Sequence, residues 1–129
     1  MREHRTVKLL GKINVDKNIA PLIKLLWKKG IVTLESCEGG KDEPGFIITE
    51  GKRLPLIKDR HVKCTEEKGT GGYMPEDYMK KVQDNKTYYY EFEAKSKTAL
   101  KRYYKKLARK ISELPDNSVE HIINRRYRT

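Results

Sequence analysis

The chain has 129 residues, enough for a single domain, and 29 Lys and Arg against 18 Asp and Glu give it a formal net charge of +11. No uncharged apolar run reaches the roughly 18 residues of a membrane-spanning helix, and the first residues lack the apolar segment of a secretory signal. Two cysteines without such a signal favour a reducing cytoplasmic setting over a disulfide scaffold. We therefore expect one cytoplasmic domain over residues 1–129, with no membrane partner.

The first half of the chain predicts a strand, a helix and two further strands. Alternating apolar residues predict one strand over residues 6–15. The helix that follows is expected to be capped by Asp16 or Asn18. A β-branched segment predicts the second strand over residues 31–37, and an apolar run predicts the third over residues 46–49.

The second half predicts a long connection, a strand and two helices. Residues 51–86 show no regular periodicity and are expected to form an irregular or mobile insertion. Residues 87–94 alternate as a strand, and Ser96 caps a helix that Pro115 ends, with basic residues over 97–110. Asp116 or Asn117 caps a short last helix that Val119 helps to anchor. The predicted fold is α+β, a mostly antiparallel four-stranded sheet with helices packed on one face, in the order β-α-β-β-(long loop)-β-α-α.

Basic residues cover the polar face of the helix at residues 97–110, with no carboxylate before Glu113. Like charges four residues apart repel, so an anionic partner would stabilise this face, although a plain solvated face is the alternative. The predicted phosphate-binding residues are Lys97, Lys101, Arg102, Lys105, Lys106, Arg109, Lys110, Arg125, Arg126 and Arg128. Tyr89 and Tyr127 are the predicted stacking residues for a base, against the alternative that they are structural.

A possible ligand-binding turn follows the second predicted strand. Its residues are Ser36, Cys37, Gly39 and Gly40. Glycines free the backbone to approach a ligand, and sites in α/β sheets favour the carboxyl ends of strands. Cys37 is the candidate nucleophile, but Glu35 and Glu38 beside it are expected to raise its pKa, and a buried structural cysteine is the alternative.

The spacing of potential ligands predicts no metal site and no cofactor. The candidates considered are Cys37, His61, Cys64 and His121. His61 and Cys64 have a spacing compatible with zinc, but no second close pair completes the pattern. Residues 69–72 are rich in glycine without the Lys-Ser/Thr ending of a phosphate-binding loop.

Residues 15–40 resemble the opening of small uncharacterised phage and bacterial proteins, in which an Asp-x-x-Ile-Ala-Pro-Leu helix precedes a Gly-Ile-x-Thr strand ending in Ser-Cys-x-Gly. The segment is more distantly similar to the start of the wybutosine-synthesis methyltransferases that act on tRNA. The matching positions are Thr33, Ser36, Cys37 and Gly39. That family has serine where this chain has Glu35 and arginine where it has Gly40. The resemblance implies a nucleic-acid or nucleotide theme, and a phage setting implies antagonism of a host defence.

The sequence thus predicts a small basic protein that binds a phosphate-bearing partner, above all nucleic acid, RNA or DNA. One alternative is a phage-type defence antagonist that sequesters a nucleotide signal or inhibits a host protein, with a pocket between residues 36–40 and residues 69–72. A third is a small nucleotide- or tRNA-modifying enzyme that uses Cys37 or Glu38. The enzyme ranks last because no acid–base or nucleophile–base pair can be assembled from spacing.

Overall fold

The computed structural model describes residues 4–40, 42–71, 75, 78 and 85–126. The strands are β1 (Thr6–Leu9), β2 (Ile13–Asp16), β3 (Val32–Cys37), β4 (Gly45–Glu50), β5 (Val62–Thr70) and β6 (Lys86–Ala94). The helices are α1 (Ala20–Lys28), α2 (Lys97–Ser112) and α3 (Glu120–Arg126). Within these ranges, no helix has the length and apolar character needed to cross a membrane.

The predicted α+β class and the four-stranded antiparallel sheet are confirmed. The strand order is β3-β4-β6-β5, and the helices pack on one side of this sheet. On that side β6 buries Tyr88, Tyr90 and Phe92, and α2 places Tyr103 and Tyr104 against Phe92 with ring centroids 5.4 and 5.7 Å away. The core therefore lies between one face of the sheet and the helical layer, and none of the three described helices packs on the other face of the sheet.

The prediction of one strand over residues 6–15 is wrong in its extent. The segment is a hairpin in which β1 pairs only with β2, apart from the four-stranded sheet. Leu10 and Gly11 both have positive φ, and the Lys12 N–H donates to the Leu9 carbonyl at 3.1 Å. Leu10, Gly11 and Lys12 form the turn between the paired residues Leu9 and Ile13, and the positive φ at Gly11 is a conformation that glycine adopts readily.

The prediction that residues 51–86 are irregular is wrong for β5. This strand pairs with β6 along its whole length, from Val62 opposite Ala94 to Thr70 opposite Lys86. It is an edge strand, and only Val62 is fully buried, so its sequence lacks the apolar alternation from which strands are predicted. The fourth strand of the sheet is therefore β5, not the N-terminal segment.

The N-cap predicted for α1 is also wrong. Ile19 occupies the cap position and makes no side-chain cap hydrogen bond. Asp16 and Asn18 instead bond to Glu38 in the turn after β3. The side chains expected to cap the helix thus join two distant segments at the end of the sheet.

Candidate functional site

The predicted basic helix is present as α2 and ends at Ser112, just before the predicted stop at Pro115. Ser96 caps it as predicted, because its Oγ accepts a hydrogen bond from the Ala99 N–H at 3.1 Å. The buried residues on its inner side are Leu100, Tyr103, Tyr104, Leu107 and Ile111. Since these residues hold one side of α2 in the core, its basic residues project from the opposite side, and all seven are exposed.

Two of the seven α2 cations contact a carboxylate. Lys106 Nζ lies 2.8 Å from Asp59 Oδ2, and Lys97 Nζ lies 3.6 Å from Glu38 Oε2. In the part of the chain that the structure describes, the other five have no acidic partner; they are Lys101, Arg102, Lys105, Arg109 and Lys110. They form what we call the α2 basic face.

The structure describes only some of the cations predicted at the C-terminal end of the chain. Arg125 is exposed on α3, and Arg126 is the last residue of that helix. The predicted contacts of Tyr127 and Arg128 lie outside the described residues. Arg125 therefore adds one exposed cation to the basic end of the chain.

Tyr89 lies on the face of the sheet opposite the described helices, because it alternates with the buried Tyr88 and Tyr90 along β6. Its ring stacks on Phe46, with centroids 5.7 Å apart. Burial and the nearby carboxylates, chiefly Glu91, raise the pKa of the Tyr89 phenol. Tyr89 and the α2 basic face thus lie on opposite sides of the sheet, so one flat surface does not contain both.

The backbone of the predicted ligand turn is already bonded within the protein. The Glu38 N–H donates to Asp16 Oδ2 at 3.0 Å, and the Gly40 N–H donates to the Glu43 carbonyl at 2.9 Å. Gly39 has φ +73°, and a Cβ there would collide with the backbone at the start of β4. The close approach of β4 therefore explains why residue 39 is a glycine. The N–H groups of Glu38 and Gly40 are bonded within the protein and are not directed at a ligand.

The pocket expected between residues 36–40 and residues 69–72 is not formed by their described parts. Cys37 pairs with Phe46 of β4, and Phe46 in turn pairs with Glu91 of β6. Residue 69 pairs instead with Thr87, four residues earlier on β6. Four residues along the strands and three strand spacings across them place the two segments about 20 Å apart. A ligand of nucleotide size would not contact both.

Glu38 is a buried structural carboxylate. It is 3% exposed, and its two oxygens accept hydrogen bonds from the backbone N–H and the side-chain amide of Asn18, at 3.0 and 2.8 Å. Its carbonyl accepts a hydrogen bond from the Tyr104 hydroxyl at 2.8 Å. Glu38 thus joins the start of α1 to the sheet and to α2, which is a structural role and leaves it poorly placed for acid–base chemistry.

Cys37 lies beside a histidine that sequence spacing did not bring near it. Its Sγ is 3.8 Å from His4 Nδ1. Burial raises the pKa of the Cys37 thiol, and the Asp16 and Glu43 carboxylates raise it further against the opposing Gly39 N–H. The thiol is consequently protonated at neutral pH and is not activated as a nucleophile.

The other histidines and cysteine considered from the sequence do not join Cys37. His61 is exposed in the turn before β5, Cys64 is half-buried on that strand, and His121 is exposed on α3. Among the described residues, one group of side chains could hold a metal ion: His4, Cys37 and Glu43. Each of them offers one ligand atom, and these three atoms lie within 4.8 Å of one another. Sequence reasoning missed His4 and Glu43 because no local spacing connects them to Cys37.

A separate cleft of about 600 Å³ lies between the end of α1 and the segment after β4, with Lys29, Lys52 and Arg53 among its lining residues. Lys29 Nζ is 2.6 Å from Asp116, and Arg53 forms a two-point contact with Glu66. Most of the positive charge of this cleft is therefore already paired with carboxylates, so the cleft is a poorer phosphate site than the α2 basic face.

Comparisons with known proteins add no functional assignment. No protein-family model matches the chain, no curated protein matches it, and no solved structure matches it. The case for a function therefore depends on the surfaces of the molecule itself.

Proposed function

We propose that the protein binds nucleic acid, RNA or DNA, through the phosphate backbone, with the α2 basic face as the contact surface. The observation that carries this proposal is the set of five exposed cations on one helix that lack an acidic partner among the described residues. Neighbouring like charges on a helix cost stability, and an anionic partner offsets that cost.

The arrangement of the cations suits a linear polyanion. Lys101, Lys105 and Arg109 follow one another at intervals of four residues, so they form a row about 12 Å long on the helix. Double-stranded DNA carries one negative charge per roughly 1.7 Å of its axis, so such a row faces several phosphates at once. Arg102 and Lys110 widen the row on one side.

The distribution of charge across the molecule also supports this orientation. The face of the sheet opposite the described helices carries Glu67 and Glu91 beside Tyr89. The helical layer, by contrast, adds the exposed Lys24 of α1, a helix that packs against α2. A polyanion would be attracted to the helical side and repelled from the sheet side.

The expected mode of binding has little dependence on base sequence. Lysine and arginine contacts to phosphates position a protein on nucleic acid but carry no sequence information directly. The predicted stacking residue Tyr89 lies on the opposite side of the sheet, so base stacking from β6 does not contribute to this surface. We expect similar affinities for unrelated sequences of the same length.

The test compares two triple charge reversals that remove the same formal charge. Lys101→Glu, Lys105→Glu and Arg109→Glu alter the α2 basic face, whereas Lys8→Glu, Lys63→Glu and Lys68→Glu alter exposed lysines on strands. Binding to labelled RNA and DNA is measured by fluorescence anisotropy at moderate salt, with circular dichroism as the check on folding.

We expect the α2 variant to lose binding and the strand variant to retain it. Equal losses would show that only the net charge matters, and unchanged binding by a folded α2 variant would refute the proposed surface.

A further inference from the structure

Three potential metal ligands from separate segments meet at the carboxyl end of β3. His4 precedes β1, Cys37 ends β3, and Glu43 lies in the turn that leads to β4. One ligand atom from each lies within 4.8 Å of the others, and all three side chains are partly buried. The cluster lies apart from the α2 basic face, whose cations are on the outer side of the helical layer.

A carboxylate contacts one ring nitrogen of His4, as is common for histidines that bind a metal through the other nitrogen. Its Nδ1 lies 2.8 Å from Asp16 Oδ2, which fixes the orientation of the ring. Its Nε2 is buried and lies 2.9 Å from Glu43 Oε1, yet it makes no hydrogen bond with any described residue. A carboxylate on one ring nitrogen that leaves the other directed at a metal is the usual arrangement around zinc.

We infer that His4, Cys37 and Glu43 form a zinc-binding site, with Asp16 orienting His4 and a fourth coordination position open to water. Nitrogen, thiolate sulfur and carboxylate oxygen are the ligand types that zinc accepts together, whereas calcium and magnesium require oxygen ligands. Three protein ligands and one water are the pattern of zinc sites that keep an open position.

The dimensions of the cluster are close to those of a tetrahedral site. Zinc lies about 2.3 Å from sulfur and about 2.0–2.1 Å from nitrogen, so two such ligands are roughly 3.5 Å apart. One ligand atom from each residue lies within 4.8 Å of the others. His4 Nε2 lies 2.9 Å from Glu43 Oε1, whereas Cys37 Sγ lies 3.8 Å from the other ring nitrogen, Nδ1, so coordination through Nε2 requires the Cys37 and Glu43 side chains to shift toward a common point. Glu43 has a side chain 40% exposed in a turn, which leaves it room to make this adjustment.

The charge of the surroundings also favours a cation. Asp16, Glu38 and Glu43 bring three carboxyl groups to this end of the sheet, and Lys97 lies 3.6 Å from Glu38. Buried carboxylates are costly unless they are paired or bind a metal. A zinc ion bound by Glu43 and by the Cys37 thiolate would offset this local negative charge.

The experiment titrates metal-free protein with zinc in competition with a chromophoric chelator. We expect one zinc ion per chain, bound at least tenfold more weakly by Cys37→Ser and by Glu43→Gln. The matched controls are Cys64→Ser, which removes the other cysteine, and Glu67→Gln, which removes an exposed carboxylate; both should bind zinc as the unmodified chain does.

Cobalt(II) provides a direct test of the sulfur ligand. Its complex should show a thiolate-to-cobalt charge-transfer absorption that is lost in Cys37→Ser and retained in Cys64→Ser. Absence of stoichiometric zinc binding, or equal affinity in Glu43→Gln and the unmodified chain, would overturn the inference. Glu43→Gln keeps the test decisive if Cys37→Ser fails to fold, because Glu43 is in a partly exposed turn.

Discussion

Replacement of Lys101, Lys105 and Arg109 by glutamine gives a quantitative test of phosphate binding. Glutamine has a helix propensity close to that of lysine and arginine, and all three positions are exposed, so α2 should remain intact. Each phosphate contact on duplex DNA contributes about −0.9 to the slope of log K against log salt concentration, so loss of three contacts reduces the slope by about 2.7. Between about 50 and 200 mM salt, the affinity ratio of the unmodified chain to the variant should therefore fall about 40-fold.

The slope is measured by fluorescence anisotropy on a short labelled DNA duplex at several salt concentrations. Lys8→Gln, Lys63→Gln and Lys68→Gln form the matched control, because they neutralise the same charge on exposed strand positions. The control slope should equal that of the unmodified chain. If the two triple variants have the same slope, the cations of α2 do not contact phosphates and the reasoning from their lack of partners fails.

Two further predictions concern the interactions that hold the helical layer. Tyr104→Phe should lower the free energy of unfolding by about 1–3 kcal/mol in denaturant titrations, because it leaves the buried Glu38 carbonyl without its donor; an unchanged midpoint would contradict this. Lys106 lowers the pKa of Asp59 from its ordinary value of 3.8, so Asp59 stabilises the fold above that pH and loses this effect as the pH falls through the lowered value. Asp59→Asn should therefore be less stable than the unmodified chain at neutral pH, and the difference should vanish in acid; a constant difference would argue against the ion pair.

The elements with a strong periodic pattern were predictable, whereas the edge strand was not. In α2 and in the central part of β6 one face is buried, so apolar residues recur with the period of the element. In β5 only Val62 is fully buried, and the strand is stabilised by backbone pairing with β6, which any side chain permits. Pairing of this kind leaves little trace in the sequence of the edge strand.

The cluster around Cys37 shows a second limit, because its partners are determined by tertiary contacts. Asp16 and Asn18 have the side chains of helix caps, but Glu38 offers them longer-range partners that compete with the cap. The same Asp16 oxygen then orients His4, which precedes the first strand of the hairpin and lies beside the end of the second strand. The structure brings Asp16 and Cys37 together at the end of β3, where Asp16 accepts the Glu38 N–H and raises the pKa of the Cys37 thiol. Packing at this end of the sheet therefore explains both residues without requiring a nucleophilic cysteine.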